Sequence, residues 1–598
     1  MASLRPATSA PSRGGGWGGI EGEGRRRGVP LPTTSFSYKI ECDMTRPKKP
    51  APQHKYIFVV GGVMSGVGKG VASSSIAKIM QSRGLEVTSI KIDPYVNVDA
   101  GTMNPTEHGE VFVLDDGTEC DQDMGNYERF LDRDLSGVNY MTTGSIYKTV
   151  IERERSMGYG GRSVSVVPYI PLEVMGRIDR AAELAKAEVV ITEIGGTVGE
   201  YENILFLEAI RMVKFKHPKD VLVVLVSHLP IMNDENELKT KPTQHAVRAL
   251  NATGLQPDII LARAKYPLDE KRKEKIAFNC NLDSEDVISA PDVSSIYDIP
   301  VNFENDDLGD LILRKLGMRP RAKDMKEWRA FAAKFHDAKD TVRIGIVGKY
   351  FASGKFVLAD SYLSVIEAIK HAAAFAGVKP EIKWLDAGQF EGGQDAGFAE
   401  LEQYDGVIVP GGFGARGVEG KLAAIRYCRE NKIPYFGLCY GMQLATVEFA
   451  RNVLKMKGAN TTEVDPKTKY PIIDILPEQK KLMADANYGG TMRLGAYPAI
   501  LKKGTLVERA YGKTTISERH RHRYEVNPAF VKRLERGGLV FSGQSPSRRL
   551  MEAAELPRDV HPFFVGTQFH PELKSRPLDP HPLFREFMKA AKERAKKK

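Results

Sequence analysis

Tyr56-Ile-Phe-Val-Val-Gly-Gly-Val-Met-Ser-Gly-Val-Gly-Lys-Gly70 starts as an apolar run of strand length and ends in a loop of small residues. Gly68 and Lys69 then open a segment whose residues predict a helix over Val71–Arg83. A strand, a glycine loop and a helix in that order cradle phosphates. Backbone N–H groups converge on the anion, the helix N-terminus adds partial positive charge, and the lysine adds a full one. Two positions depart from the usual pattern. Val63 stands where a glycine five residues before the Gly-Lys pair is expected, and Gly70 stands where Ser or Thr would hold magnesium. A metal bound beside this loop must therefore be held by carboxylates elsewhere.

Working outward, nearly continuous apolar runs recur at Val87–Ile90, Val164–Val167, Val189–Thr192, Val221–Val226 and Ile259–Ala262. Strands buried on both faces of a parallel sheet read this way. The expected fold is α/β, with a doubly wound phosphate-loop domain over 55–318 whose ligands sit at the carboxyl ends of the strands. Residues 319–340 are charged and helical in character, with Trp328 and Phe331 as anchors, and are read as a linker. A second α/β pattern over 341–588 has strands at Arg343–Val347, Val407–Val409, Pro434–Leu438 and Phe563–Gln568. Residues 1–54 are rich in Gly, Arg, Ser and Pro without periodicity and read as a disordered leader, with an organelle-targeting segment as the alternative. Residues 589–598 form a basic tail.

A chain of 598 residues is too long for one core. Five scattered cysteines give no disulfide framework and fit a reducing, cytoplasmic setting. The most apolar stretch, Val221–Met232, is broken by Ser227, His228 and Pro230, so no membrane span is expected. The net charge of +10 would suggest nucleic acid, but it is confined to the ends. Residues 1–54 hold nine Lys/Arg against four Asp/Glu, and 589–598 hold six against one, leaving the body near neutral. Charge in tails describes solubility rather than a substrate.

Carboxylates for a hard cation stand in two places. Asp115, Asp116, Glu119, Asp121 and Asp123 form an acidic loop, and Glu193 follows a buried strand directly. Such loops are commonly solvated, whereas an ionised group ending a buried strand costs free energy unless paired. The segment Glu237-Leu-Lys-Thr-Lys-Pro-Thr-Gln-His245 gathers Lys239, Lys241, Thr240, Thr243 and Gln244, and Pro242 suggests a loop. Two ammoniums with hydroxyls and an amide suit a second polyphosphate or a base edge.

The second half carries nucleophilic chemistry. Gly437-Leu-Cys-Tyr-Gly441 between a strand and a helix is an elbow that exposes Cys439, and a thiol at a helix N-terminus has its thiolate favoured. Downstream, Gln568-Phe-His-Pro-Glu572 sets His570 and Glu572 two apart on an extended segment, so a histidine base can be oriented by a carboxylate. Pro410-Gly-Gly-Phe-Gly414 ends another strand and can aim N–H groups at an oxyanion.

With these residues in view, the second half resembles class I glutamine amidotransferase domains, which release ammonia from glutamine through a cysteine thioester. The body as a whole resembles the CTP synthase family. The resemblance is carried by Gly-Lys-Gly at 68–70, Lys91-Ile-Asp-Pro-Tyr95, Gly101-Thr-Met, His108-Gly-Glu-Val-Phe112, Glu193-Ile-Gly-Gly-Thr-Val-Gly199, Lys239–His245 and Arg519-His-Arg-His-Arg-Tyr-Glu-Val526. It implies an amidoligase domain joined to the amidotransferase domain, and ATP-dependent conversion of UTP to CTP through phosphorylation of uracil O4. It also implies Mg2+, GTP as activator, CTP as feedback inhibitor, a homotetramer with nucleotide sites shared between subunits, and filaments. No nucleic-acid or membrane partner is expected.

By the same resemblance ATP would lie on Gly66, Val67, Gly68, Lys69, Gly70, Val71, Lys91, Asp123 and Val293, with Asp123 and Glu193 on magnesium. UTP or CTP would meet Ser65, Glu200, Tyr201, Glu202, Lys239, Thr240, Lys241, Pro242, Thr243, Gln244 and Lys275. Glutamine would meet Gly412, Tyr440, Gly441, Met442, Gln443, Glu463 and Arg523. Glu200 and Tyr169 replace an aspartate and a histidine common in the family, and residues 227–236 also depart from its pattern. Two other functions fit the residues less fully: an amidoligase acting on a carboxylate, and a regulatory or filament-forming NTPase with vestigial catalysis.

Overall fold

The computed structural model describes residues 54–232, 237–348, 359–392, 395–412, 414–475 and 492–598. The leader up to residue 53, Asn233–Asn236 and Phe413 lie outside the described residues.

The first half is built on seven strands: β1 (Lys55–Gly62), β2 (Val87–Asp93), β3 (Tyr140–Thr142), β4 (Val189–Ile194), β5 (Val221–His228), β6 (Ile259–Ala264) and β7 (Val287–Pro291). They are all parallel, in the order β3-β2-β4-β1-β5-β6-β7. Helices pack on both faces, so β1, β2 and β4 are almost wholly buried, as their unbroken apolar runs require. The helix after the glycine loop runs Lys69–Ser82.

One expected strand is absent. Val164–Val167 enters the helix Val166–Ala185, and all four of its residues are at least partly exposed, so the run never joined the sheet. Pro242 likewise opens a helix, Lys241–Ala252, rather than holding a loop. Proline in a first turn surrenders only an N–H that has no helical partner there.

The second half has β8 (Thr341–Gly348), β9 (Lys379–Asp386), β10 (Gly406–Val409), β11 (Tyr435–Leu438), β12 (Arg493–Leu501), β13 (Thr515–His522), β14 (Val540–Gln544), β15 (Met551–Glu555) and β16 (Phe564–Thr567). Their order is β9-β8-β10-β11-β16-β15-β14-β12-β13. The strands from β9 to β16 are parallel and the rest antiparallel. Residues 582–595 form one helix that lays Leu583, Phe584 and Phe587 into this core.

The described residues form one compact unit, and a buried seam joins the halves. Arg519 of β13 is fully buried and forks onto Glu128 at 2.7 and 3.0 Å; Arg576 reaches the same carboxylate at 2.9 Å. Breaking such a pair on one side costs on the order of 3–5 kcal/mol, because it strands a buried charge. On the helix Lys326–Asp337, Trp328 and Phe331 pack with Phe130, Tyr297 and Ala374, binding that segment to both halves.

Candidate active sites

The register of the first sheet builds the phosphate site. Lys91 of β2 is paired with Glu193 of β4, so the two side chains emerge next to each other. The Lys91 ammonium donates to Glu193 Oε1 at 2.9 Å and to Asp123, with Asp93 at 3.7 Å and Asp121 at 3.9 Å. Burial opposes its charge, but Asp123 and Glu193 outweigh that and hold its pKa well above the ordinary lysine value. The carboxylates are in surplus. Burial, with Asp123 and Glu193 nearby, pushes Asp93 up to about 6.

Lys69 is buried and donates to the Gly196 carbonyl at 2.8 Å, with its pKa lowered by burial. Gly61 leaves room for it, since a Cβ there would lie 2.9 Å from the ammonium. Gly70 is explained by Asp123: a Cβ at 70 would lie 2.0 Å from its carboxylate. The missing loop hydroxyl is thus replaced in space by a carboxylate from the helix Asp123–Leu131. Val63, at the expected glycine position, takes the glycine-like φ of 81°, costly for a β-branched residue.

Only part of the acidic loop belongs here. Asp121 and Asp123 face Lys91, whereas Asp115 pairs with Arg519 and Lys574, Glu119 with Arg521, and Asp116 accepts from the Gly137 N–H. Among the described residues no His, Cys, Asp or Glu group forms a finished metal cage. Still, four carboxylates around one ammonium are the oxygen donors a hard divalent cation takes.

A cleft of about 320 Å³ opens beside the loop at the ends of β5, β6 and β7. Val67, Gly68, Val71 and Val293 line it, together with Arg263, Ile296 and Phe303, which sequence reasoning did not single out. Ser65, Gly66, Glu200, Tyr201, Glu202, Lys241 and Lys275 are exposed. Glu200 accepts from the Thr197 N–H at 2.7 Å, and Lys239 pairs with Glu237. Thr240 directly precedes the helix carrying Pro242, while buried Thr243 bonds Ser227 at 2.8 Å and Gln244 donates to Thr240 at 3.4 Å.

In the second half, β10, β11 and β16 end together and bring Gly411, Cys439 and His570 to one edge. Cys439 takes φ 49°, ψ −98° and precedes the helix Tyr440–Asn452. Close packing demands the glycine at 441, where a Cβ would lie 2.1 Å from the Val409 carbonyl. His570 Nδ1 bonds Glu572 Oε1 at 2.7 Å, in a short turn rather than an extended segment. Burial opposes the imidazolium, but Glu572 and Cys439 raise the pKa of His570 well above 6.5.

The neighbours of the thiol hold it in place. Gln568 Nε2 donates to Cys439 Sγ at 3.6 Å, and Gln443 Nε2 donates to the Tyr524 carbonyl at 2.9 Å. Glu463 accepts from the Gly414 N–H at 2.5 Å, Tyr440 donates to the Gly414 carbonyl at 3.1 Å, and Glu463 and Arg523 both lie by Tyr524. Buried Met442 packs against Gly566.

The cavity at the thiol, about 80 Å³, is walled by both halves: Pro105, Glu110 and Val111 from the first, and Gly411, Gly412, Cys439, Arg521, His570 and Glu572 from the second. Glu110 lies in the His108–Phe112 stretch, to which the sequence reading gave no chemical role. It accepts from the Ser364 N–H at 3.0 Å, and burial pushes its carboxyl up to about 7. Between the ordinary 4.5 and about 7 the folded chain keeps a proton that the unfolded chain has lost. The stability this brings is complete below 4.5 and is lost as pH rises through about 7. The stability of Glu110→Gln relative to the unaltered chain, followed by thermal melts, should therefore climb between about pH 4.5 and 7, by roughly 3 kcal/mol at most. An unchanged difference would contradict the burial of this proton.

Comparison with known proteins finds relatives over both halves. Residues 55–318 match the family model for the CTP synthase N-terminus, and residues 357–590 that for class-I glutamine amidotransferases. A curated CTP synthase of Pyrococcus furiosus is 52% identical over 542 residues, 90% of this chain and 98% of its own. That of Thermococcus gammatolerans is 51% identical over 542 residues, with 90% and 99% covered. The solved glutaminase domain of Trypanosoma brucei CTPS with bound acivicin is 38% identical with a TM-score of 0.38, over 42% of this chain and 94% of that one.

Proposed function

The chain belongs to the CTP synthase family, and from that premise we propose that it phosphorylates UTP with ATP and aminates it with ammonia cut from glutamine at Cys439. The observation that carries the reading is the hairpin Val111–Val113/Glu119–Asp121. Val111 of its first strand borders the thiol cavity, and Asp121, paired directly opposite Val111 on the second strand, reaches Lys91.

ATP lies in the cleft along Val67, Val71 and Val293, with its phosphates over Gly66, Gly68, Lys69 and Gly70. Asp123 and Glu193 would hold Mg2+, which supplies positive charge to the phosphates when bound. Uracil O4 attacks the γ-phosphorus as N3 gives up its proton to water, Lys91 balances the gathering charge, and ADP leaves. Ammonia then adds to C4, gives up a proton, and inorganic phosphate departs to leave CTP.

At the other site the Cys439 thiolate attacks the carboxamide carbon, and the N–H groups of Gly412 and Tyr440 receive the oxyanion. The His570 imidazolium passes its proton to the departing ammonia. His570, now neutral, takes a proton from the water that hydrolyses the thioester to glutamate, and Glu572 steadies the ring throughout. Glu463, Arg523 and Gln443 hold the glutamine. Free ammonia is mostly ammonium at neutral pH and no nucleophile, so making it in an enclosed space between the halves delivers the reactive form.

The exposed Ser65, Tyr201, Glu202, Lys241 and Lys275 suit a UTP site completed by a second copy of the chain, with Lys239–Gln244 nearby. A homotetramer, filaments, GTP activation, CTP feedback and a cytoplasmic setting belong to the same reading. Among the described residues no helix is long and apolar enough to cross a membrane.

The test is product absorbance with UTP, ATP, magnesium and glutamine, beside thermal shifts with each ligand. CTP should form, and UTP should raise the melting temperature while carboxylate substrates do not. Failure to form CTP from either glutamine or ammonium would sink the assignment.

A further inference from the structure

Ile296 lines the nucleotide cleft, and its neighbour Tyr297 reaches the other way, into the seam between the halves. Its ring is fully buried, stacked on Phe130 and Phe335, and its carbonyl accepts from the Trp328 indole at 2.9 Å. The hydroxyl meets two groups on the second half's helix Leu363–Ala376: Glu367 Oε2 and His371 Nε2, each at 2.6 Å. His371 Nδ1 lies 3.0 Å from Ser575 Oγ. The Ser575 N–H reaches the Glu572 carbonyl at 3.4 Å and closes the short turn that carries Glu572.

Each link has one permitted direction. Glu367 is ionised: burial opposes this, but Lys370, at 2.7 Å, and Arg129 keep its pKa low. The carboxylate can only accept, so the Tyr297 hydroxyl donates to it. The phenolic oxygen is then left to accept from His371 Nε2–H. Burial lowers His371 to about 3, so the ring is neutral and its Nδ1 accepts the Ser575 hydroxyl. A fully satisfied buried chain of this kind is either intact or broken, with little between.

We propose that Tyr297, His371 and Ser575 are positioning residues through which the wall of the nucleotide cleft sets the placement of Glu572, and with it the rate of glutamine hydrolysis. The inference rests on the two-site reading above. Ammonia released when no phosphorylated acceptor is ready is lost to water, and this chain gives the nucleotide half a physical hold on the residue that orients His570. A peptide bond joins Ile296 to Tyr297, and hydrogen bonds carry the contact from there to the turn that holds Glu572.

The experiment measures glutamate release with and without UTP, ATP and magnesium in the unaltered chain, Tyr297→Phe and His371→Asn. The asparagine keeps an acceptor near the Nδ1 position for Ser575 while cutting the link to Tyr297, which separates the cross-seam link from local support of the turn. Nucleotides should speed hydrolysis about tenfold in the unaltered chain, and in both variants this response should shrink to about twofold or less. Ammonium-supported CTP formation should stay within about twofold throughout. A full nucleotide response in the variants, or none in the unaltered chain, would overturn the inference. So would loss of ammonium-supported synthesis in both variants, which would mark a purely structural role. The two-site reading is judged separately, by whether the unaltered chain makes CTP from glutamine at all.

Discussion

Cys439→Ala should abolish CTP formation from glutamine, by about 10⁴-fold or more, while leaving synthesis from added ammonium within about twofold. Among the described residues, Cys439 is the only cysteine at a strand-to-helix elbow beside a histidine–carboxylate pair; Cys120, Cys280 and Cys428 are buried elsewhere. Alanine keeps the Cβ and the positive φ of 49°, so the elbow need not rearrange. The groups that bond the sulfur, Gln568, His570 and the Arg521 carbonyl, all belong to the second half. The Lys91 cluster and the adjacent cleft are left as they are. The check is CTP absorbance with glutamine against ammonium chloride, and loss of both activities together would refute two separable sites.

Lys69→Ala should remove both activities, by roughly 10²–10³-fold, because phosphoryl transfer precedes amination whatever the source of nitrogen. The ammonium sits under the loop with one bond, to the Gly196 carbonyl, and is pre-positioned where phosphate charge develops. Its removal opens a small buried space next to Gly61. The thermal midpoint and glutaminase activity without nucleotides serve as controls for folding. Full ammonium-dependent turnover in this variant would end the phosphate-loop role.

Local chemistry was legible in the chain; the seam was not. The glycine loop and the elbow at Cys439 are short-range patterns that appear where their spacing indicated; His570 and Glu572 also pair, but across a short turn rather than along the extended segment their spacing suggested. Strands with unbroken apolar runs were also plain. Val164–Val167 misled because a short apolar run cannot be told from the start of a helix by periodicity alone. Tyr140–Thr142 and Val287–Pro291, brief strands at the sheet edges, left too weak a pattern to notice. The acidic loop was half misread for a different cause. Asp115 and Glu119 serve arginines some four hundred residues away, and nothing in the local sequence distinguishes them from Asp121 and Asp123. Glu110, Tyr297 and His371 acquire meaning only once the halves are docked.

The absence of a side chain at Gly70 carries a consequence for how such a site can change over time. Even alanine there would collide with the Asp123 carboxylate, so a serine or threonine cannot simply be added alongside it. The hydroxyl-bearing loop and the borrowed carboxylate compete for one volume, and a lineage or a designer passing from either arrangement to the other must alter both positions at once. Substitutions at 70 and 123 should consequently be epistatic, each harmful alone whatever their merit together.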